Sequence, residues 1–394
     1  MNRYRNWRRP SLMGNSKQAK RRRGVTMIFA AFLLAILVGM LAFSIDVGYI
    51  AVSRTEAHRT TDAAALAAGW QMVDCLRRDD AENVMKQQAH AAAQQYAGSN
   101  AVCSHGPQLS TQSGNGDIEL GYLSSLQSGA PLVNDPNNPY RAVRVRVRKQ
   151  ETWNGQVPLY FAKIFGQKGR DMTVESTAAL AVNIQGFKAP EDGEDNLELM
   201  PFAIDEQTWD AMMAGGGTDE YHYSSSTKSV TSTGDGIPEV NLYPQGTGSP
   251  GNRGTVDIGS RNNSTKDIAR QILHGISKKD FLDLGKPLAF DHNGILTLEG
   301  DTGISAGVKD ELASIIGKTR IIPVFSNVNQ NGNNAVYTIK RWVGVRIMHV
   351  KLTGAMNQKQ VMVQPAGVVA HNVIPGGSNQ TWSQGVYSPV VLVK

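Results

Sequence analysis

The sequence predicts an α+β protein on a membrane anchor. A single N-terminal transmembrane helix continues into a long exported helix packed on an antiparallel sheet, and a β-rich domain follows. Three observations carry this. Residues 25–45 contain no charged side chain. Residues 46–98 are rich in Ala, Gln, Arg and Glu and hold no proline. From residue 118 onward, apolar alternation of period two recurs between Gly, Asn and Pro clusters.

Residues 1–23 form a basic tail with nine Lys or Arg and no Asp or Glu. Residues 24–45 are the predicted span, since 21 uncharged residues in a helix cover roughly 30 Å, the thickness of a bilayer core. The basic tail before it and Asp46 after it place the N-terminus in the cytoplasm and residues 46–394 outside. A cleaved signal peptide is the competing reading, with Ala42 and Ser44 as a loose peptidase site. The run exceeds the usual 7 to 15 residues and passes into a helical pattern without a turn, which favours a retained anchor. Arg23-Gly24 resembles a pilin processing site, but the fifth residue after it is Phe29 rather than Glu, so no such cleavage is expected. Within the span, Ala31, Ala35 and Gly39 recur every four residues, a small-residue face suited to packing on another membrane helix.

With 41% hydrophobic and 19% charged residues, the exported part should be globular. Removing the nine tail cations takes the formal charge from +6 to −3, so the basic balance belongs to the tail. Topology and the lipid bilayer explain it, and no nucleic-acid partner is expected.

Residues 46–98 read as helix, with Ala57, Ala64, Leu66, Ala67, Trp70 and Val73 at roughly helical spacing and bends expected at Gly69 or Asp79-Asp80. Ile118–Leu123 reads as a strand. Val143, Val145 and Val147 alternate with Arg144, Arg146 and Arg148, predicting a strand with one buried face and an arginine row on the solvated one. Residues 157–165 are expected to be a short helix ended by Gly166, and residues 172–184 a strand. These define an exported α+β domain over 46–185, followed by an acidic linker at 186–199 and a β-rich domain over 200–394. In that domain, helices are expected near 267–276 and 308–316, and strands over 320–328, 335–354, 359–370 and 386–394.

The sequence contains only fragments of chemical motifs. Gly303-Ile304-Ser305-Ala306-Gly307 matches a nucleophile elbow, but the acids after Ser305 are Asp310 and Glu311, too near to complete a triad, so it reads as a loop and helix start. Gly317-Lys318-Thr319 lacks the earlier glycine of a phosphate loop, where Leu312 stands. The stretch 248–254 reads as a turn. The acids of 291–301 place Gly294 at the fourth position of a calcium loop rather than the sixth. The histidines form no two-His motif. A non-enzyme without cofactor, metal or small-molecule substrate is expected. Cys75 and Cys103 lie in the exported part, where a disulfide closing the 27 residues between them would fit an oxidising compartment.

The basic residues and Gly24 before the span, Asp46-Val47-Gly48 after it and the Thr61-Asp62-Ala63-Ala64-Ala65-Leu66-Ala67 segment resemble the N-terminal region of TadG-like (TadE/TadG-like) proteins of the bacterial Flp, or Tad, pilus-assembly system. Residues 142–149, 157–166 and the strand ending at Val182 continue the likeness, which covers about 20–185. The resemblance implies a single-pass protein of the cytoplasmic (inner) membrane whose exported part assists a type IV-like pilus used in adhesion, with pilus-assembly or other membrane subunits as partners. Many relatives carry a von Willebrand A domain with a metal motif, Asp-x-Ser-x-Ser, which this sequence lacks. The alternative is an envelope binding module for carbohydrate or a surface structure over 200–394, with Trp342, Trp382, Tyr337 and Tyr387 as an aromatic platform.

Overall fold

The computed structural model describes residues 17–78, 80–112, 116–123, 125–126, 129–135, 140–243, 254–259, 264–330, 334–377 and 381–393, with side chains from Thr26 onward apart from Met356. Residues 1–16 of the tail and 248–253 of the glycine-rich turn lie outside these.

Helix α1 (Lys17–Arg78) runs unbroken for 62 residues, about 93 Å at the rise of an α-helix. Every large apolar side chain from Met27 to Ile45 is exposed, and this stretch is long and apolar enough to cross a membrane. From Asp46 onward the helix acquires partners. It stops at Arg78, whose guanidinium binds Asp80 at 2.7 Å. Helix α2 (Glu82–Ser99) then returns antiparallel to α1: the Gln88 amide oxygen accepts from Gln71 and Arg78, while the carbonyl of Asn100 accepts from Thr60. The chain turns between Arg78 and Glu82, not at Gly69. A Cβ on Gly69 would lie 2.6 Å from Val390 Cγ1, so this glycine lets the helix pass close to the last part of the chain.

Under the helix pair lies an antiparallel sheet. Strand β1 (Ile118–Leu123) is flanked by β2 (Leu132–Val133) and β3 (Ala142–Lys149), then come Met172–Ala179 and Val391–Val393. The valines of β3 are fully buried against Ala57, Ala64, Ala65 and Ala68 of α1 and Ala89, Ala93 and Ala97 of α2. Alanine contributes little area per residue but lets a helix lie close on both a sheet and a second helix, so the contact is long rather than deep. On the opposite face the arginine row is neutralised across the strands. Arg146 bonds Glu119 at 3.0 Å and Glu175 at 3.0 Å, and Arg148 bonds the buried Asp117.

The second region closes on itself. Ala335–Lys351 pairs antiparallel with Thr319–Asn329 and Leu296–Thr302. Leu296–Thr302 pairs with Gly254–Val256, which pairs with Phe202–Asp205, which lies parallel to Thr319–Asn329. Hydrogen bonding thus returns to its starting strand, and five strands form a closed ring with no free edge among them. Side chains of one face, including Leu298, Phe325, Tyr337 and Trp342, share one core, with a register shift between Ile339 and Arg341 changing the parity that points there. The other face, including Ile204, Val324, Val343 and Val345, packs with helices Glu206–Ala211, Thr265–His274 and Lys309–Ser314.

Three expectations are corrected. Residues 157–165 are not a helix: Val157–Pro158 pairs with Gly169–Arg170 in a hairpin, and only Ala162–Phe165 make a 3-10 turn. Strand pairing takes Val157–Pro158 out of any helix, and Gly166 at φ 88° reverses the chain. Residues 186–199 are not a free linker, because Phe187, Leu197 and Leu199 are buried and Leu197 and Leu199 pair with Ile276 and Ile321. The acids make the segment look solvated, yet its apolar residues enter the core. Finally, the last strand does not stay in the second region: Val391–Val393 pairs with Thr177–Ala179 and forms the outer strand of the first sheet.

The close approach at Gly69 is testable by contrast with Gly48, beside which nothing lies within 4 Å. Gly69→Leu should cost about 1–3 kcal/mol through overpacking, lowering the melting temperature in detergent. Gly48→Ala should leave it unchanged or raised by the gain in helix propensity.

Candidate functional site

The first polar side chain after the apolar stretch is Asp46, and it is buried. Its carboxylate accepts the backbone N–H groups of Tyr160 at 2.7 Å, Phe161 at 3.1 Å and Ala162 at 2.7 Å. It thus caps from outside the 3-10 turn Ala162–Phe165, whose own preceding residue, Phe161, supplies no side-chain cap. Burial pushes the Asp46 carboxyl up. The N–H donors of Ala162, Tyr160 and Phe161 and the Lys163 charge outweigh it and hold the group below the ordinary carboxylate range. Beside this contact the rings of Tyr49 and Tyr160 meet edge to face, 5.1 Å apart.

Further contacts follow up the helix. Glu56 accepts the N–H of Cys103 at 2.9 Å, and Ser53 accepts the Cys103 thiol at 3.2 Å. The hydroxyl of Ser176, on the sheet, donates to Asp62 at 2.5 Å and lies 2.7 Å from the hydroxyl of the fully buried Thr61. Asp46, Thr61 and Asp62 therefore all tie α1 to the strands or to the hairpin between them.

Ala31, Ala35 and Gly39 remain on the exposed stretch of α1, and nothing in the chain lies within 4 Å of a Cβ at Gly39. The expected Cys75–Cys103 disulfide is corrected: both thiols are free. Cys103 sits against Ser53, whereas Cys75 lies on the same helix 22 residues farther on, roughly 33 Å away, far beyond the reach of a disulfide.

The aromatic platform is corrected as well. Trp342 and Tyr337 are fully buried, and Trp382 nearly so. Trp342 packs edge-on to Phe187, and Trp382 stacks on Phe290. The half-buried Tyr387 donates its hydroxyl to the carbonyl of Leu76. Ser305 accepts the N–H of Gly307 at 3.1 Å and caps the turn that opens the next helix. A cleft of about 910 Å³ in the second region is lined by Asp205, Thr208, Glu239, Asn241 and Asn327 among others.

A group of carboxylates not singled out in the sequence comes together beside it, sharing Glu239 with its lining. Asp219, Asp235 and Glu239 place oxygens within 4.8 Å of one another. Asp219 accepts the N–H groups of Asp235 and Gly236, and Glu239 those of Glu220 and Tyr221. Burial, with Asp219 and Asp235 nearby, pushes Glu239 above the ordinary range despite those donors. These acids organise the loops around residues 218–239. They lie up to 20 residues apart in irregular sequence, so no spacing rule exposes them.

Two family matches fall on the helix and sheet just described. The family described as "Putative Flp pilus-assembly TadE/G-like" matches residues 24–71, and that described as "Putative Tad-like Flp pilus-assembly" matches residues 54–178. Residues 24–178 are a TadG-like Flp pilus-assembly region. The two matches overlap on residues 54–71 of α1, which hold Thr61, Asp62 and the alanines packed on the sheet. Both matches end before the second region. No curated protein and no solved structure matches the chain.

The Asp46 cap gives a pH signature. A carboxyl with a lowered folded pKa contributes stability above its unfolded value, about 3.9, and loses it as pH falls through the folded value. Asp46→Asn should lower the melting temperature by a constant amount above about pH 5, and the gap to the native protein should narrow below about pH 4. Thermal unfolding across that range measures it.

Proposed function

We propose that this chain is a single-pass protein of the bacterial cytoplasmic membrane, with its N-terminus inside and residues 46–394 exported. It acts without catalysis in Flp pilus biogenesis, and in the adhesion that pilus serves, through protein–protein contacts. The observation that carries this reading is the course of α1. Its exposed apolar stretch and the helix packed on the Tad sheet are one continuous element, and both fall within the matched region. Such an element holds the exported domain at a fixed height and orientation over the membrane, which suits a part that positions other subunits. The basic residues before the span and Asp46 after it support the orientation.

The face made by Ala31, Ala35 and Gly39 is where another membrane helix of the assembly machinery would approach most closely. The polar lining of the cleft in the second region and the burial of its tryptophans give carbohydrate stacking no support.

Cells of the source bacterium lacking this protein should lose Flp pili and surface attachment, and the native gene should restore both. Gly39→Leu should be made in normal amount yet co-purify fewer pilus-assembly subunits in mild detergent. Ser305→Ala should restore piliation fully, and failure to do so would revive a hydrolytic role.

A further inference from the structure

The hairpin that Asp46 caps exposes apolar groups that the chain does not cover. Ile164 is 79% exposed, Phe165 86% and Tyr160 53%. These values equal or exceed those of many side chains on the exposed stretch of α1 itself. Between Tyr160 and Arg170 the charged residues are Lys163, Lys168 and Arg170, with no acid among them. The hairpin's base and tip lie at different heights along α1. At the base, Val157 and Arg170 line a cleft with Val47, Ile50 and Arg54. At the tip, Tyr160 to Ala162 bond Asp46, the first residue past the apolar run. The hairpin therefore descends toward the end of the span, and its apolar tip continues the exposed apolar belt that ends at Ile45 and Val47.

We propose that residues 160–168 are a membrane-interfacial foot. Ile164, Phe165 and the Tyr160 ring would enter the boundary between headgroups and acyl chains of the outer leaflet, while Lys163 and Lys168 meet anionic lipid phosphates. Aromatic and basic side chains at the end of a span have this preference in general. The foot would make a second lipid contact beside the helix. Because Asp46 bonds the backbone rather than the apolar side chains, the carboxylate fixes the foot's position and leaves its lipid-facing atoms free. This inference rests on the membrane-anchored reading given above, and the test separates the two.

The full-length protein is reconstituted in vesicles of phosphatidylcholine and phosphatidylglycerol that contain a phospholipid bearing a diazirine high on its acyl chain. After illumination, adducts are mapped by mass spectrometry. Label is expected on the 25–45 segment and on Tyr160–Phe165, but not on Leu282, which is equally exposed at 71% in the second region. The Ile164→Ser, Phe165→Ser double variant alters only exposed side chains and should lose the label on its hairpin while keeping that on the span. Label on the span with none on the hairpin would overturn the foot and leave the anchor standing. Label on neither would overturn the anchor itself. Cross-links between hairpins of two copies, obtained with a zero-length reagent in place of lipid adducts, would assign the surface to self-association and also overturn the foot.

Discussion

The structure depends on one constraint: the chain must change from an apolar rod to a packed domain within a single helical turn. Asp46 sits at that change. A carboxylate there would be costly if left buried without partners, and the hairpin supplies three backbone N–H groups, which would themselves lack partners at the start of a 3-10 turn. Each side satisfies the other's need. The helix is held to the hairpin at the point where lipid contact would otherwise give way to solvent.

From that point the emerging helix is held by many modest contacts rather than a few large ones. Alanines let α1 lie flat on β3 and on α2, the Thr61, Asp62 and Ser176 cluster fixes its register on the sheet, and Gly69 admits Val390. The return of Val391–Val393 to the first sheet makes the second region more than an appendage. The five-strand ring sits between two passes of the chain through the first sheet.

Much of this was legible in the sequence, and the reason is period. The uncharged run, the Ala-rich helix, the Val/Arg alternation and the long strands after residue 319 each repeat a pattern that a single element imposes. What escaped is what two distant segments decide together. Residues 157–165 place Pro158 where a first helical turn tolerates it and end before Gly166, yet strand pairing with Gly169–Arg170 and the Asp46 carboxylate select a hairpin. Acidic residues at 191–195 masked the burial of Leu197 and Leu199, whose partners lie about 80 and 120 residues away. Asp46 was visible as a charge after a span, but nothing local signals that its partners begin at Tyr160. An oxidising compartment suggested a bridge that a straight helix forbids, since sequence separation says little about distance when one of the two thiols lies near the end of a rod.

The exposed apolar stretch of α1 and the domain packed on its second half are joined by one helix without a hinge at the boundary. Amide hydrogen exchange along α1 in the full-length protein, in detergent or nanodiscs, tests it most directly. Slow exchange should run without interruption from the apolar stretch through residues 46–52 to the middle of α1, with fast exchange first appearing at the start of α2, around residues 81–83. Rapid exchange confined to residues 44–50 in the native protein would show a flexible joint at Asp46 and contradict the account.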